Sequence, residues 1–280
     1  MIRTLLILGR ISNLPTVWSN CLAAWLIAGG GPWSRFGILC VGASLLYTGG
    51  MFLNDAFDVE FDRNYRTERP IPAGQIGLRW VWVIGLALLL LGWLTMLPMG
   101  QKASLLAAGL LACILVYDAI HKRTPFAPFL MAGCRFLLYL VAALVAKGEL
   151  SALLFWGAGA LAAYILGISY LARGESAPIP IKAWPVALLF APIVLALAVN
   201  PSGSAIQRLV AAVTAAWVFW CLRGPFLKIK KPLASAVPGL LAGIVLIDWL
   251  ASGVGFSATA CIFLALFVLA LALQRIAPAS

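Results

Sequence analysis

Apolar runs of near-bilayer length recur along the whole chain, and this one feature removes most folds from consideration. They lie near residues 13–29, 36–54, 80–98, 103–118, 127–146, 151–172, 184–199, 206–222, 236–252 and 256–273. A helix crosses the hydrocarbon layer with roughly 20 apolar residues, and each run is close to that length. Helix is the default inside lipid, because every backbone N–H and C=O must be satisfied within the segment. The chain is 63% hydrophobic and 10% charged, where a soluble domain is roughly half apolar and a quarter charged. The fold class read from this is all-α: a polytopic membrane helical bundle of nine to ten transmembrane helices, forming a single domain over residues 1–280. The count turns on 236–273, either two helices or a less regular pair. The first apolar run lacks a short core followed by a small-residue cleavage site, so no cleavable signal peptide is expected.

The basic residues orient the bundle. With ten spans, both termini and the even-numbered loops share one side. That side carries fifteen of the twenty Lys and Arg, and the other carries only Arg35, Lys102, Lys147 and Arg208; Arg135 lies inside a span. The positive-inside rule then puts both termini and the even loops in the cytoplasm, as expected of an inner-membrane, multi-pass protein. Topology and attraction to anionic membrane lipid account for the net charge of +11, and a nucleic-acid partner is not needed. The six cysteines fall in or beside apolar runs with no CxxC spacing, which reads as small core residues. No oligomeric interface is legible.

Topology does not explain the acidic residues. Five of nine, Asp55, Asp58, Glu60, Asp62 and Glu68, crowd into fourteen positions after the second run. Acidic groups contribute little to orientation, and clustered carboxylates repel one another, so a bound cation is the usual compensation. If the helix continues through the segment, each residue advances by about 100°. With Asn54 at zero, Asp58 falls at roughly 40°, Asp62 at roughly 80° and Asp55 at roughly 100°. Glu60 falls at roughly 240°, on the far side. The arc therefore selects three aspartates and Asn54 and turns Glu60 away. Hard oxygen ligands of this kind suit Mg²⁺, which completes its octahedron with water and substrate phosphate. Arg63, Arg66 and Arg69 follow at once. Arginines beside aspartates make sense if the ligand is an anion bridged by metal. Pro70, Pro72 and Gly74 then end the helix and shape a turn.

A second polar cluster, Tyr117 to Pro125, follows the fourth run on the same face. Lys122 and Arg123 are suited to grip phosphate and Tyr117 to hydrogen-bond it; a positive-inside stop signal explains the same residues. His121, the only histidine, reads as incidental.

Asn54-Asp55-x-x-Asp58-x-x-x-Asp62-Arg63, followed by Arg69-Pro70-Ile71-Pro72-x-Gly74, closely resembles the first aspartate-rich motif of the UbiA family of intramembrane prenyltransferases. Tyr117 with Lys122-Arg123 resembles that family's tyrosine–basic motif, and Arg10, Asn13 and Pro15 resemble the start of its first helix. The resemblance implies about nine helices around a central cavity capped by the motif loops. It implies Mg²⁺-dependent attack of a lipophilic acceptor on a polyprenyl diphosphate. Asp55, Asp58 and Asp62 would hold the metal and act in catalysis with Lys122. Asn54, Arg63, Arg66, Arg69, Tyr117, Arg123, Arg173, Arg10 and Asn13 would bind substrate. The match breaks after the sixth run. The family's second aspartate motif has no counterpart in Tyr164–Arg173, and only Glu175 is acidic nearby. Asp248 sits in a late span, toward the opposite side. Two readings remain: a prenyltransferase in which Arg173 and Lys182 stand in for lost metal charge, or a non-catalytic isoprenoid-diphosphate binding or transport protein on the same scaffold.

Overall fold

The computed structural model describes residues 1–147, 149–173, 183–199, 204–226 and 235–277. Lys182 and Glu175 lie outside the described residues. Those described form twelve helices and no strand. Two are short: α1 (Ile2–Leu8) and α4 (Val59–Tyr65). The other ten are α2 (Leu14–Ile27), α3 (Trp33–Phe57), α5 (Leu78–Leu94), α6 (Gln101–Ile120), α7 (Ala127–Ala146), α8 (Ala152–Arg173), α9 (Ala183–Val199), α10 (Ala205–Phe226), α11 (Val237–Ser252) and α12 (Ala258–Leu273). Each of the ten apolar runs is thus a helix. The ambiguous 236–273 stretch resolves into α11 and α12, separated at Gly253, whose φ of 65° is a left-handed helix stop that glycine adopts without steric cost. Six helical spans, α3, α5 with its following turn, α6, α7, α8 and α10, are long and apolar enough to cross a membrane, and α9, α11 and α12 are shorter apolar helices. The protein is an integral membrane helical bundle.

Helix α3 carries the aspartates, and glycines let it dock tightly. Gly42 and Gly49 face Gly92 and Gly85 of α5. A Cβ at Gly49 would sit 2.8 Å from the Gly85 carbonyl oxygen, and one at Gly92 would sit 2.8 Å from the Leu46 nitrogen. Small residues permit this backbone approach where lipid supplies no hydrophobic drive between helices. At the motif end, Leu8, Phe52, Ala56 and Val81 form a separate apolar cluster with Ile71 and Ile76 against it. That cluster ties α1 and the 70–77 turn to α3 and α5.

The bundle interior also holds a polar network. Asp248 of α11 is fully buried. It accepts hydrogen bonds from Ser19 (2.5 Å), Asn20 (2.6 Å) and Tyr139 (2.8 Å). Arg135 of α7 donates to the Asn20 side-chain oxygen at 2.6 Å and to Thr16 at 3.1 Å. Asn20 therefore bridges a buried carboxyl group and a buried guanidinium, giving each a hydrogen-bond partner in a medium where unpaired polar groups are costly. The network locks α2, α7 and α11 together. A cleft of about 100 Å³ between α8, α9 and α11, lined by Trp156, Pro192 and Ile247 among others, lies at the opposite end of the bundle from the aspartates. Of the cysteines, Cys21 and Cys221 are buried as expected, whereas Cys261 is exposed on α12. An apolar helix facing lipid has no need to bury every small residue.

Candidate functional site

The helical run into the aspartates is almost unbroken. The Asp58 N–H donates to the Asn54 carbonyl at 3.0 Å, and the Asp62 N–H to the Asp58 carbonyl at 2.9 Å, carrying α3 into α4 with one irregular residue at Asp58. Asn54, Asp55 and Asp58 are each 5% exposed and Asp62 is 1% exposed, while Glu60 points outward. The arc read from helical spacing is the arc that is buried.

Cations reach this arc from three directions. Arg69, which opens the proline turn after α4, lies 2.8 Å from Asp55 and 3.5 Å from Asp62. Arg10 precedes α2 and lies 3.4 Å from both Asp55 and Asn54. Its φ of 42° is the one positive value among described non-glycine residues. A left-handed residue is sterically unfavourable for an L-amino acid and persists where its surroundings demand it; here it precedes the turn Ile11–Asn13 and sits where its guanidinium meets the carboxylates. From the end of α6, Lys122 lies 2.9 Å from Asp58, with its ammonium 3.7 Å from the centre of the Phe61 ring. His121 Nε2 lies 3.3 Å from the same Asp58 oxygen, and the ring stacks on Tyr117 at 5.1 Å. Burial works to raise the Asp58 pKa, but the His121 and Lys122 contacts outweigh it and hold the carboxyl below its ordinary value. Asp62 goes the other way. Burial raises it, Arg69 opposes the rise, and the neighbouring Asp58 charge adds to it.

The remaining substrate-site candidates are placed unevenly. Asn13 is buried and donates to the Tyr47 hydroxyl at 3.1 Å, and the Tyr47 ring faces Arg135 at 5.6 Å. Arg63, Arg66 and Arg123 are exposed on the rim, Arg66 with its guanidinium 6.0 Å from the Phe61 ring. Arg173 at the end of α8 is committed elsewhere. Its guanidinium donates to the carbonyls of Pro125 and Thr124 at 3.0 Å each and to that of His121. Tyr170 also donates to the Pro125 carbonyl, at 3.1 Å. The end of α8 thus clamps the 121–125 turn and fixes the backbone from which His121 and Lys122 reach Asp58. Two side chains given no weight in the sequence, His121 and Asp118, stand inside the cluster. Asp118 is 3% exposed and accepts from Asn54 at 3.2 Å. Its signal was present as a carboxyl one turn before His121, but only the apposition of the α3 and α6 ends gives it meaning.

The donor set fits a hard divalent cation in chemistry, and only partly in geometry. Among the described residues, no three His, Cys, Asp or Glu side chains converge as a metal cage. Two buried carboxylate oxygens, Asp62 Oδ1 and Asp118 Oδ2, have no partner. Mg²⁺ uses one or two carboxylates and takes its other ligands from water and phosphate, so open carboxylate oxygens without a closed cage match that habit. Arginines and a lysine within reach of the same carboxylates are the groups that bind phosphate oxygens.

The chain superposes on solved membrane proteins of the same architecture. A UbiA homolog from Aeropyrum pernix K1 matches with a TM-score of 0.66 at 18% identity, covering 87% of this chain and 97% of that one. A UbiA homolog from Archaeoglobus fulgidus bound to GPP and Mg²⁺ matches at 0.63 and 14% identity, covering 93% and 99%. At these identities the likeness shows the fold. In sequence, a 4-hydroxybenzoate octaprenyltransferase of Acidovorax ebreus is 33% identical over 93 residues, 32% of each chain. A digeranylgeranylglyceryl phosphate synthase of Ignicoccus hospitalis is 40% identical over 87 residues, 31% of this chain and 29% of the relative. The aligned stretch thus spans about a third of these curated relatives. The model of the UbiA prenyltransferase family matches residues 13–277. With that match extending over nearly the whole helical bundle, the chain belongs to the UbiA prenyltransferase family.

Proposed function

We propose that this protein is a Mg²⁺-dependent prenyltransferase that moves an isoprenoid chain from a polyprenyl diphosphate to a lipophilic acceptor, with its motif loops on the cytoplasmic side of the membrane. One observation carries the reading: Asn54, Asp55, Asp58 and Asp62 are buried together at one end of an apolar bundle, with Arg10, Arg69 and Lys122 in contact with them. A cluster of both charge signs at that boundary suits a ligand with a highly charged head and an apolar tail. Its diphosphate would lie among the cations while its chain extends between the helices. The Archaeoglobus structure, bound to GPP and Mg²⁺, supports the reading that this scaffold takes a prenyl diphosphate with a divalent cation. The curated relatives' names support transfer to acceptors such as 4-hydroxybenzoate.

In the reaction, the bond between the allylic carbon and the diphosphate oxygen breaks, and the diphosphate leaves with the electron pair. The acceptor supplies the pair for the new bond and afterwards loses a proton. Mg²⁺, when bound, neutralises charge on the leaving diphosphate. Asp55, Asp58 and Asp62 would hold it, and Arg10, Arg69 and Lys122 would stabilise the oxygens that gain charge as the bond breaks. Arg173 would act by holding the 121–125 turn, and so Lys122, in place.

The reading is tested by giving the purified protein Mg²⁺, an allylic diphosphate and a lipid extract of its membrane. Release of pyrophosphate together with a prenylated lipid is the expected result. Tight binding of the diphosphate with no release would instead favour the non-catalytic binder, a reading supported by the lack of an acidic residue from Tyr164 to Arg173. Neither binding nor release contradicts both.

A further inference from the structure

Asp118 comes from a different helix than the other carboxylates and belongs to no aspartate-rich motif. It lies near the end of α6, 3% exposed, with Oδ1 accepting from Asn54 at 3.2 Å and Oδ2 buried without a partner. Asn54 is itself part of the buried arc and accepts from Arg10 at 3.4 Å. His121, one turn beyond Asp118, touches Asp58 at 3.3 Å. The open oxygen of Asp118 therefore belongs to the diphosphate site and not to some remote part of the bundle. It has a counterpart in Asp62, whose Oδ1 is also buried and unpartnered while its Oδ2 faces Arg69 at 3.5 Å. The two open oxygens sit on carboxylates with different neighbours, Asn54 for one and Arg69 for the other.

Leaving a buried carboxylate oxygen unpaired is costly, and buried polar atoms are nearly always satisfied. A helix-end carboxylate that merely anchored Asn54 would need only one oxygen. The cations point the same way. Arg10, Arg69 and Lys122 pair with Asp55, Asp62 and Asp58, and among the described residues none forms an ion pair with Asp118. A bound diphosphate adds negative charge at the same place, which divalent cations offset.

Given the diphosphate-binding reading above, on which this rests, we propose that Asp118 is a cation ligand and that the site takes two divalent cations with its diphosphate, one at Asp62 and one at Asp118. Since no three acidic or imidazole side chains converge among the described residues, the diphosphate and water supply the remaining ligands, as Mg²⁺ commonly requires.

The test uses the full chain in detergent with Mn²⁺ as a spectroscopic probe and inorganic pyrophosphate. Wild type is expected to hold two Mn²⁺ per chain. Asp118→Asn is expected to hold one, with the other weakened by roughly tenfold or more, the usual consequence of losing a ligand or its close support. Asp118→Ser gives the same loss if Asn perturbs the fold. Melting supplies a second readout. Without cation, Asp118→Asn should melt no lower than wild type, because it removes a buried carboxyl with an unpartnered oxygen and keeps an acceptor for Asn54. With Mn²⁺ and pyrophosphate, it should gain less stability than wild type. A lower melting point with unchanged Mn²⁺ stoichiometry would show an anchoring role only and overturn the proposal. One Mn²⁺ in both proteins overturns it as well, leaving the diphosphate reading standing. No Mn²⁺ uptake by wild type overturns both together.

Discussion

Replacing Asp248 with alanine is expected to destabilise the bundle by about 3 kcal/mol or more. The substitution removes the shared acceptor of Ser19, Asn20 and Tyr139: the Ser19 hydroxyl keeps the Thr16 carbonyl, whereas the Asn20 amide and the Tyr139 hydroxyl lose their partner, and Asn20 is no longer held in place beside Arg135. Hydrogen bonds within membranes average only about 0.6 kcal/mol each, because the membrane-embedded unfolded helices also find partners. Three such bonds alone would cost roughly 2 kcal/mol. The donors left behind decide the outcome, since each buried group without a partner carries a desolvation cost of about 1–3 kcal/mol. Thermal unfolding of the detergent-solubilised protein should show a fall of roughly 10 °C. Asp248→Asn, which keeps an acceptor and loses the charge, should fall by less. Equal melting of both variants and wild type would mean that the network does not hold α2, α7 and α11 together.

Arg69→Ala is expected to lower turnover by roughly 10²–10³-fold, by analogy with removal of a preorganised donor from a reaction site. Among the described residues, Arg69 is the one cation that touches two of the aspartates, and its side chain is 16% exposed. Its loss leaves Asp55 and Asp62 without their shared counter-ion and removes a fork suited to phosphate oxygens. Arg69→Lys should recover only part of the rate, because an ammonium is a point charge without the planar fork. Lys122→Ala should cost less, since its side chain is 34% exposed and water screens it. Steady-state kinetics on the three variants separate these effects. Turnover of Arg69→Ala within twofold of wild type would remove Arg69 from the reaction.

What the amino acids made legible follows from how local each constraint is. The ten apolar helices were readable because lipid forbids unsatisfied backbone, so an apolar run in it is helical. The buried arc at Asn54, Asp55, Asp58 and Asp62 was readable because helical periodicity persists across Asp58. The outward turn of Glu60 followed from the same 3.6-residue repeat. Residues whose role depends on a second helix were not readable. His121 looked incidental until the end of α6 met the end of α3, and Asp118 acquired its place only through Asn54. Arg173 looked like a free cation near a missing metal motif, but the 121–125 turn presents carbonyls that take its donors. Asp248 did fall toward the far half of its span. Its partners, on helices more than a hundred residues away in sequence, had no local signature.

The central claim is that the buried aspartates bind an isoprenoid diphosphate through a divalent cation. Equilibrium binding of an allylic diphosphate to the purified protein, titrated with and without Mg²⁺, tests this most directly. Wild type should bind at least about tenfold more tightly with Mg²⁺ present. Asp58→Asn should lose that gain, because Asp58 lies at the middle of the arc and contacts both His121 and Lys122. Glu60→Gln should keep it, because Glu60 faces away from the cluster. Affinity indifferent to Mg²⁺, or equal losses from Asp58→Asn and Glu60→Gln, would contradict the account.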